Sequence, residues 1–327
     1  MVNFEYANPK TLQEAFGLLS ATPGEAEVLA GGTDLLSLMK DDIHTPKRVV
    51  NIKNIKGLNG VSKAGGSIRV GATTTIDELA SNSLIRNAYP ALVQAALGIT
   101  SPQIRNMGTV GGDLCQRPRC WYFRSGNGLL AKTANGESLV PNGENKYHGI
   151  FNSAPAYFVS ASLLGPALVA LGATLKVASA TGTRDIPAGQ FFVAPKTNEE
   201  REIALKPNEI LTEILIPAPA TKNATYEVRQ RQALDWPLAT ASVALRTSGA
   251  KVTSASIVLG HVGATPVRAT AAEKLVLGQT LTADLAEKAG EAAVSGATPL
   301  SQNAYKLQLA KVAVKRALLQ AAGIKQA

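Results

Sequence analysis

Only two cysteines, Cys115 and Cys120, occur in the 327 residues. That supply excludes a disulfide scaffold, and it excludes a four-thiolate iron–sulfur cluster built by this chain alone. Histidine is equally scarce: His44, His148 and His261 lie far apart, without the H-x-x-x-H type of spacing that metal sites use. Each reads as a surface or packing residue. No apolar run approaches the ~18–20 residues needed to cross a bilayer, and the opening MVNFEYANPK lacks the apolar core of a secretory signal. The expectation is a chain with no membrane partner, cytoplasmic, or periplasmic if a signal-bearing partner carries it out. A G-x-S-x-G turn, a G-x-x-x-x-G-K-[ST] loop and a spaced G-x-G-x-x-G are all missing. Chemistry would therefore come from a bound cofactor that the protein positions and tunes.

What is present supports a folded, cofactor-holding chain. With 45% hydrophobic and 17% charged residues it can bury a core, and its length suits two or three domains. Lys and Arg outnumber Asp and Glu by 33 to 24, a formal charge of +9. The charge is dispersed and no nucleic-acid module accompanies it, so it implies solubility or an acidic partner rather than nucleic acid. Residues 303–327 are the one mild concentration, with Lys306, Lys311, Lys315, Arg316 and Lys325 and no acid.

The first 55 residues read as an α/β unit. Thr11 and Glu14 fit a capping box ahead of a helical face of Leu12, Ala15, Phe16 and Leu19. Glu27–Ala30 reads as a buried strand, Asp34–Lys40 as a helix and Arg48–Ile52 as a second strand. Further on, Ile68–Ala72 is a strand, Thr75 and Glu78 form another capping box, and a helix over Ala91–Leu97 stops at Gly98. Residues 127–147 are rich in Gly, Asn and Lys and read as a surface loop. A boundary falls near Pro217–Thr221. Strands over Ser242–Leu245 and Ser256–Gly260 follow, and a final helix aligns Leu307, Ala310, Val314, Leu318 and Ala321.

Two glycine turns carry the functional signal. Val28-Leu29-Ala30-Gly31-Gly32-Thr33-Asp34-Leu35 is a strand ending in two glycines that open a helix. Thr109-Val110-Gly111-Gly112-Asp113 repeats the pattern later in the chain. Glycine lets the main chain approach a ligand closely and take positive φ, and successive N–H groups at a helix start favour an anion such as a diphosphate. An ordinary strand-to-helix turn is the alternative for either one taken alone.

Several segments together resemble the FAD-binding medium subunit of the xanthine dehydrogenase/carbon monoxide dehydrogenase family: the two turns, Gln103-Ile104-Arg105-Asn106 before the second, and Glu209-Ile210-Leu211-Thr212-Glu213-Ile214 with Ile216-Pro217. Val258-Leu259-Gly260, Val262-Gly263, Pro266 and Arg268 extend the match, as does Asn303-x-Tyr305-Lys306. The likeness spans nearly the whole chain in order. It implies an α+β fold: a two-part FAD-binding domain of the vanillyl-alcohol-oxidase type, residues 1–55 and 56–217, plus a small α/β C-terminal domain, residues 222–327. It implies that Val28–Leu35, Arg105 and Thr109–Asp113 hold FAD, with Leu211 in the flavin's neighbourhood. It implies an electron route from a molybdopterin subunit through an iron–sulfur subunit to FAD and an external acceptor. Two rivals stand beside it, a flavin-free assembly subunit and a stand-alone FAD oxidoreductase.

Departures from the family pattern sharpen the expectations. Asp113-Leu114-Cys115-Gln116-Arg117-Pro118-Arg119-Cys120-Trp121-Tyr122-Phe123-Arg124 resembles members, such as aldehyde oxidoreductases, with an extra four-iron, four-sulfur cluster. The loop that follows has no cysteine, so that cluster is expected to be absent and both thiols free. Asp113 stands where the family has Asn, and a carboxylate there is expected to face a hydroxyl or N–H rather than phosphate. Leu163 replaces an acid that grips ribose, and Glu227 replaces a lysine, so FAD is expected to bind more weakly than in relatives.

Overall fold

The computed structural model describes residues 1–218, 222–231 and 235–325. Pro219, Ala220 and Thr221, in the expected boundary segment, lie outside the described residues. The chain forms three sheets, each with its own helices. The first contains β1 (Glu5–Ala7), α1 (Leu12–Leu18), β2 (Ala26–Leu29), α2 (Leu35–Lys40) and β3 (Arg48–Asn51). Its strands are parallel, in the order β1-β3-β2. Thr11 caps α1 by accepting from the Glu14 N–H. Glu14 reaches past it to the Lys10 N–H, so only half of the expected box is built.

The second unit runs through β4 (Val61–Ala64), β5 (Ser67–Gly71), α3 (Ile76–Ser81), α4 (Ser83–Ala88), α5 (Pro90–Leu97), α6 (Pro102–Met107), α7 (Val110–Cys115) and α8 (Trp121–Arg124). It continues with α9 (Leu164–Ala170), β6 (Thr174–Ser179), β7 (Gly182–Pro187), α10 (Ala188–Phe191) and β8 (Ile210–Pro217). The five strands are antiparallel, ordered β4-β5-β8-β6-β7. Central β8 buries Ile214 and Ile216 in one core with Leu79, Leu92 and Leu164. The Thr75–Glu78 capping box is complete. Gly98 does follow α5, but at φ −59; a Cβ there would fall 2.3 Å from Glu227 Oε1, so the Glu227 side chain would have to shift to admit one.

The third unit comprises β9 (Lys222–Val228), β10 (Ala239–Ser248), β11 (Lys251–Gly260), β12 (Val267–Arg268), α11 (Thr270–Val276), α12 (Ala283–Ala293) and α13 (Tyr305–Ala322). Its antiparallel strands run β12-β11-β10-β9. Ala310, Val314 and Leu318 of α13 are fully buried against this sheet's core, with Leu307 and Ala321 at its margin, the stripe that helical spacing requires.

Residues 127–147 depart from the surface-loop reading. They form no helix or strand, yet Leu129, Leu130, Ala131 and Val140 are buried. The physical reason is Asn145. Its buried amide donates to the carbonyls of Val140, Pro141 and Gly143 and to Ser301 Oγ. Irregular bonds, such as Leu139 N–H to the Ala131 carbonyl and Leu130 N–H to Asn198 Oδ1, satisfy other backbone groups of the segment, so no repeating ladder and no periodicity mark it. Among the described residues, no helix is long and apolar enough to cross a membrane.

Close approach of α12 and α13 depends on Gly290, where a Cβ would lie 2.5 Å from the Lys311 carbonyl oxygen. Gly290→Ala is expected to cost ~1–3 kcal/mol by overpacking and to lower the Tm in scanning calorimetry. Gly17→Ala, with open space around it, should leave the Tm unchanged or raise it.

Candidate functional site

The two glycine turns meet. β2 leads into Gly31 and Gly32, the latter at φ +72, and α2 begins directly after. Gly31 is packed so closely on the turn between α6 and α7 that a Cβ would lie 2.1 Å from the Met107 oxygen and 2.9 Å from Gly108 Cα. Thr109 then caps α7, accepting from the Gly112 N–H at 3.0 Å. The cleft bounded by these turns has about 1050 Å³ of open space. Val28, Ala30, Gly31, Gly32, Thr33, Asp34 and Leu35 line one wall, Thr109, Gly111 and Gly112 another, and Leu211 of β8 closes it. Past Gly112 and Gln116 it continues as a trough of about 920 Å³ along Gly98–Ser101, Leu163 and Trp236.

The two turns differ in what they offer. The N–H groups of Gly31, Gly32 and Thr33 meet no protein acceptor among the described residues. Those of Val110 and Gly111 donate to the carbonyls of Thr74 and Ala72, and that of Gly112 to Thr109. The first turn is thus an open row of donors, and the second is a fixed backbone shelf facing it.

Three expected residues do not line this cleft. Leu29 packs beneath Gly32, 3.1 Å from where its Cβ would be. Val110 belongs to the main apolar core. Arg105 turns toward the end of α5, donating to the carbonyl of Ile99 at 2.8 Å and to that of Thr100. Asp113 borders the trough, but protein donors hold its carboxylate: the Ser162 hydroxyl at 2.6 Å, the N–H groups of Leu163 and Leu164, and the Gln116 amide. Burial pushes this carboxyl upward, and Ser162, Leu164 and Leu163 offset part of that rise. The carboxylate is directed at a hydroxyl and N–H groups of the protein itself. Leu163 does face the trough. Glu227 lies behind Gly98, paired with Arg229, whose guanidinium also donates to the carbonyls of Gly98 and Asp235.

Asp34 ties the site together. Its carboxylate accepts from Arg124 Nη2 at 2.8 Å, from the Arg117 N–H at 2.7 Å and from Arg119 Nη1. Burial alone would raise the carboxyl; the Arg119 and Arg124 guanidiniums with the Arg117 N–H outweigh it and hold Asp34 below the usual carboxylate range. Arg119 reaches on to Gln116 Oε1 and lies 4.8 Å over the ring of Trp236. On the far wall Arg117 pairs with buried Glu202 at 2.6 Å, and Arg201 lies 3.6 Å from Glu27. Sequence reasoning did not assign Gln116, Arg117, Arg119 or Arg201 to the site. The signal for two of them was the crowding of Arg117, Arg119 and Arg124 immediately after the second glycine turn.

The thiols are apart. Cys115 lies on the cleft wall, pushed up to about 12 by burial. Cys120 opens on a different cavity, 3.2 Å from His148 Nε2. Both are free, and among the described residues no three His, Cys, Asp or Glu side chains converge as metal ligands.

Comparison with known proteins gives the same outline. Residues 2–219 match the family described as FAD binding domain in molybdopterin dehydrogenase, and residues 224–321 match the CO dehydrogenase flavoprotein C-terminal domain. The chain is 31% identical to the carbon monoxide dehydrogenase medium chain of Hydrogenophaga pseudoflava, covering 96% of each. It is 30% identical to the aldehyde oxidoreductase FAD-binding subunit of Escherichia coli K12, covering 98% of this chain and 99% of that one. Among solved structures it is similar to carbon monoxide dehydrogenase from H. pseudoflava, with TM-score 0.76, 29% identity and 98% of each chain covered. Quinoline 2-oxidoreductase from Pseudomonas putida 86 gives TM-score 0.77 at 25% identity, again over 98% of each chain.

Removing the Asp34 charge leaves two partly buried guanidiniums without their partner. Asp34→Asn is expected to cost ~3–5 kcal/mol at pH 7, measured by urea unfolding. Because the folded carboxyl is held low, its stabilisation is complete above the unfolded value and is lost as pH falls through the folded one. The gap between wild type and variant should therefore narrow below about pH 4.

Proposed function

The chain belongs to the FAD-binding medium-subunit family of the molybdenum hydroxylases, and from that premise we propose that the meeting of its two glycine turns is the seat of the FAD. As a member of that family it is an oxidoreductase subunit that binds FAD and transfers electrons within a multi-subunit complex. The observation that supports the seat is the contact of Gly31 with Met107 and Gly108, which sets an open row of N–H donors opposite a second backbone shelf. Those donors suit the diphosphate. Val28, Ala30, Thr33 and Leu35 would flank it on one side, and Thr109, Gly111 and Gly112 on the other. Leu211 would supply an apolar wall.

FAD, when bound, supplies the redox centre. The chain's own residues position it, shield it and fix the charge around it. Arg119 stays near the trough through Asp34 and Gln116, and so adds positive charge beside a polyanion without its own freedom to move. Asp113, engaged by Ser162 and two N–H groups, adds no bare carboxylate. Leu163 offers no hydrogen bond, which costs on the order of 1.5–3 kcal/mol relative to a charged acceptor. Among the described residues, no side chain at the cleft is poised as nucleophile with a base beside it, in keeping with substrate oxidation taking place elsewhere in the complex. The partners of this reading are an iron–sulfur subunit that delivers electrons and a molybdopterin subunit that oxidises the substrate. The net charge of +9 suits acidic surfaces on them. The compartment is the cytoplasm, or the periplasm where a signal-bearing partner exports the complex.

The purified chain should show flavin absorption bands, release FAD on denaturation and carry no iron. Gly31→Val forces the two turns apart, and FAD per chain should fall at least tenfold with far-UV circular dichroism unchanged. Gly17→Ala should retain it. Full FAD occupancy in Gly31→Val would place the cofactor elsewhere.

A further inference from the structure

A second cavity lies beyond Trp236, with about 1090 Å³ of open space. It shares Arg119, Asp235, Trp236 and Pro237 with the trough, so the two spaces adjoin across the Arg119–Trp236 stack. Part of its wall is aromatic. Trp121 stands edge-on to Tyr147 at 5.6 Å and to His148 at 5.9 Å, and Phe158 and Trp236 also line the space, with Gln230, Arg231 and Asp235 among its polar groups.

We propose that this cavity binds a planar, uncharged aromatic carbonyl compound of the quinone class. The proposal deepens the electron-transfer reading, on which it rests, by giving the external acceptor a site and a chemistry.

The polar groups on the walls select that class. His261 is 2% exposed, sits at φ +61, and has neither ring nitrogen in a well-formed hydrogen bond. The Ala161 backbone is a weak partner for one of the two nitrogens. His148, 3% exposed, touches Cys120 through Nε2 and leaves Nδ1 without a partner. A buried polar atom without a partner costs ~1–3 kcal/mol, so two such imidazoles facing one cavity call for a ligand that hydrogen-bonds. Burial together with the Lys306 charge pushes His148 down to about 4 and His261 down to about 3. Both rings are therefore neutral near pH 7, and each carries one N–H donor and one bare nitrogen. A carbonyl oxygen accepts from such an N–H, and a hydroxyl can donate to the bare nitrogen.

Of the three cations among the described lining residues, two are committed to buried protein partners. Lys306 donates to the carbonyls of Tyr147, His148 and His261 at 3.3, 3.2 and 2.9 Å. Arg119 is held by Asp34, and Arg231 lies 3.4 Å from Asp235. Among the described lining residues a phosphate or carboxylate would meet one largely exposed guanidinium, Arg231, with the Asp235 carboxylate beside it. Cys120 and His148 are one contact, short of a metal's ligand set. Flat aromatic walls with a few neutral hydrogen-bonding groups match a ring that stacks and accepts. Lys306, by fixing three backbone carbonyls, is a positioning residue for both imidazoles.

Trp121 and Trp236 are the chain's two tryptophans, and both line the cavity, so intrinsic fluorescence reports on it. The FAD-loaded full chain is titrated with 2-methyl-1,4-naphthoquinone, following emission and lifetime, with equilibrium dialysis for stoichiometry. The Trp236→Phe chain leaves Trp121 as sole reporter, away from the trough. Saturable static quenching at one equivalent is expected, with affinity at least tenfold weaker for 2-methylnaphthalene and for His261→Phe. Quenching that is only collisional, equal binding of the carbonyl-free hydrocarbon, or tighter binding of NADH would overturn the proposal and leave the space to ordered water or a nucleotide. The hydrocarbon comparison uses the wild-type chain, so it decides even if His261→Phe fails to fold. FAD release from the same sample separates failure of this site from failure of the flavin assignment.

Discussion

The Asp34 carboxylate accepts from donors that all lie within residues 117–124, and this knot organises the molecule's functional half. It joins the start of α2 in the first sheet unit to the segment that leads away from α7 in the second. With Gly31 seated on Met107 and Gly108, the two units meet at both ends of the first turn. The cleft's shape is therefore fixed by charge-assisted bonds and by backbone contact. Because Arg119 also lies over Trp236, the same carboxylate sets the partition between the cofactor trough and the aromatic cavity beyond it.

A second set of polar nodes fastens the aperiodic middle of the chain to the C-terminal unit. Asn145 bonds Ser301 and Gln302, Asn303 donates to the carbonyls of His148 and Gly149, and Lys306 donates to those of Tyr147, His148 and His261. Fully buried, the Lys306 ammonium is pushed down to about 7, yet its three carbonyl acceptors give each proton a partner. Such networks are costly when broken and specific when complete. Here they hold residues 140–150 against α13 where no ladder could.

The departures from family pattern acquire physical content in this frame. Asp113 keeps a carboxylate near the cofactor but directs it at Ser162 and the start of α9. Glu227 is neutralised by Arg229 behind Gly98, so its replacement of a lysine removes a cation without adding a bare anion to the cleft. Leu163 is the departure that reaches the trough itself. Cys115 and Cys120, five positions apart in sequence, open on different cavities because α7 ends between them.

Residue order alone determined the three-part organisation, the strand–Gly-Gly–helix turns, the Thr75–Glu78 box and the stripe of α13. Each of these is a local or periodic property, decided by neighbours a few residues away. The resemblance supplied the family and FAD from spaced motifs. Tertiary structure alone decided which residues of those motifs face the cleft: Leu29 and Val110 turn into cores, Arg105 turns toward α5, and Gln116, Arg117, Arg119 and Arg201 enter. It also decided that residues 127–147 are buried and that Trp121, His148, Trp236, His261 and Lys306 surround one space. These outcomes depend on contacts between segments tens to hundreds of residues apart, such as Asp34 with Arg119 and Lys306 with His148. Side-chain direction at such contacts follows from how the sheets pack, which no local pattern encodes.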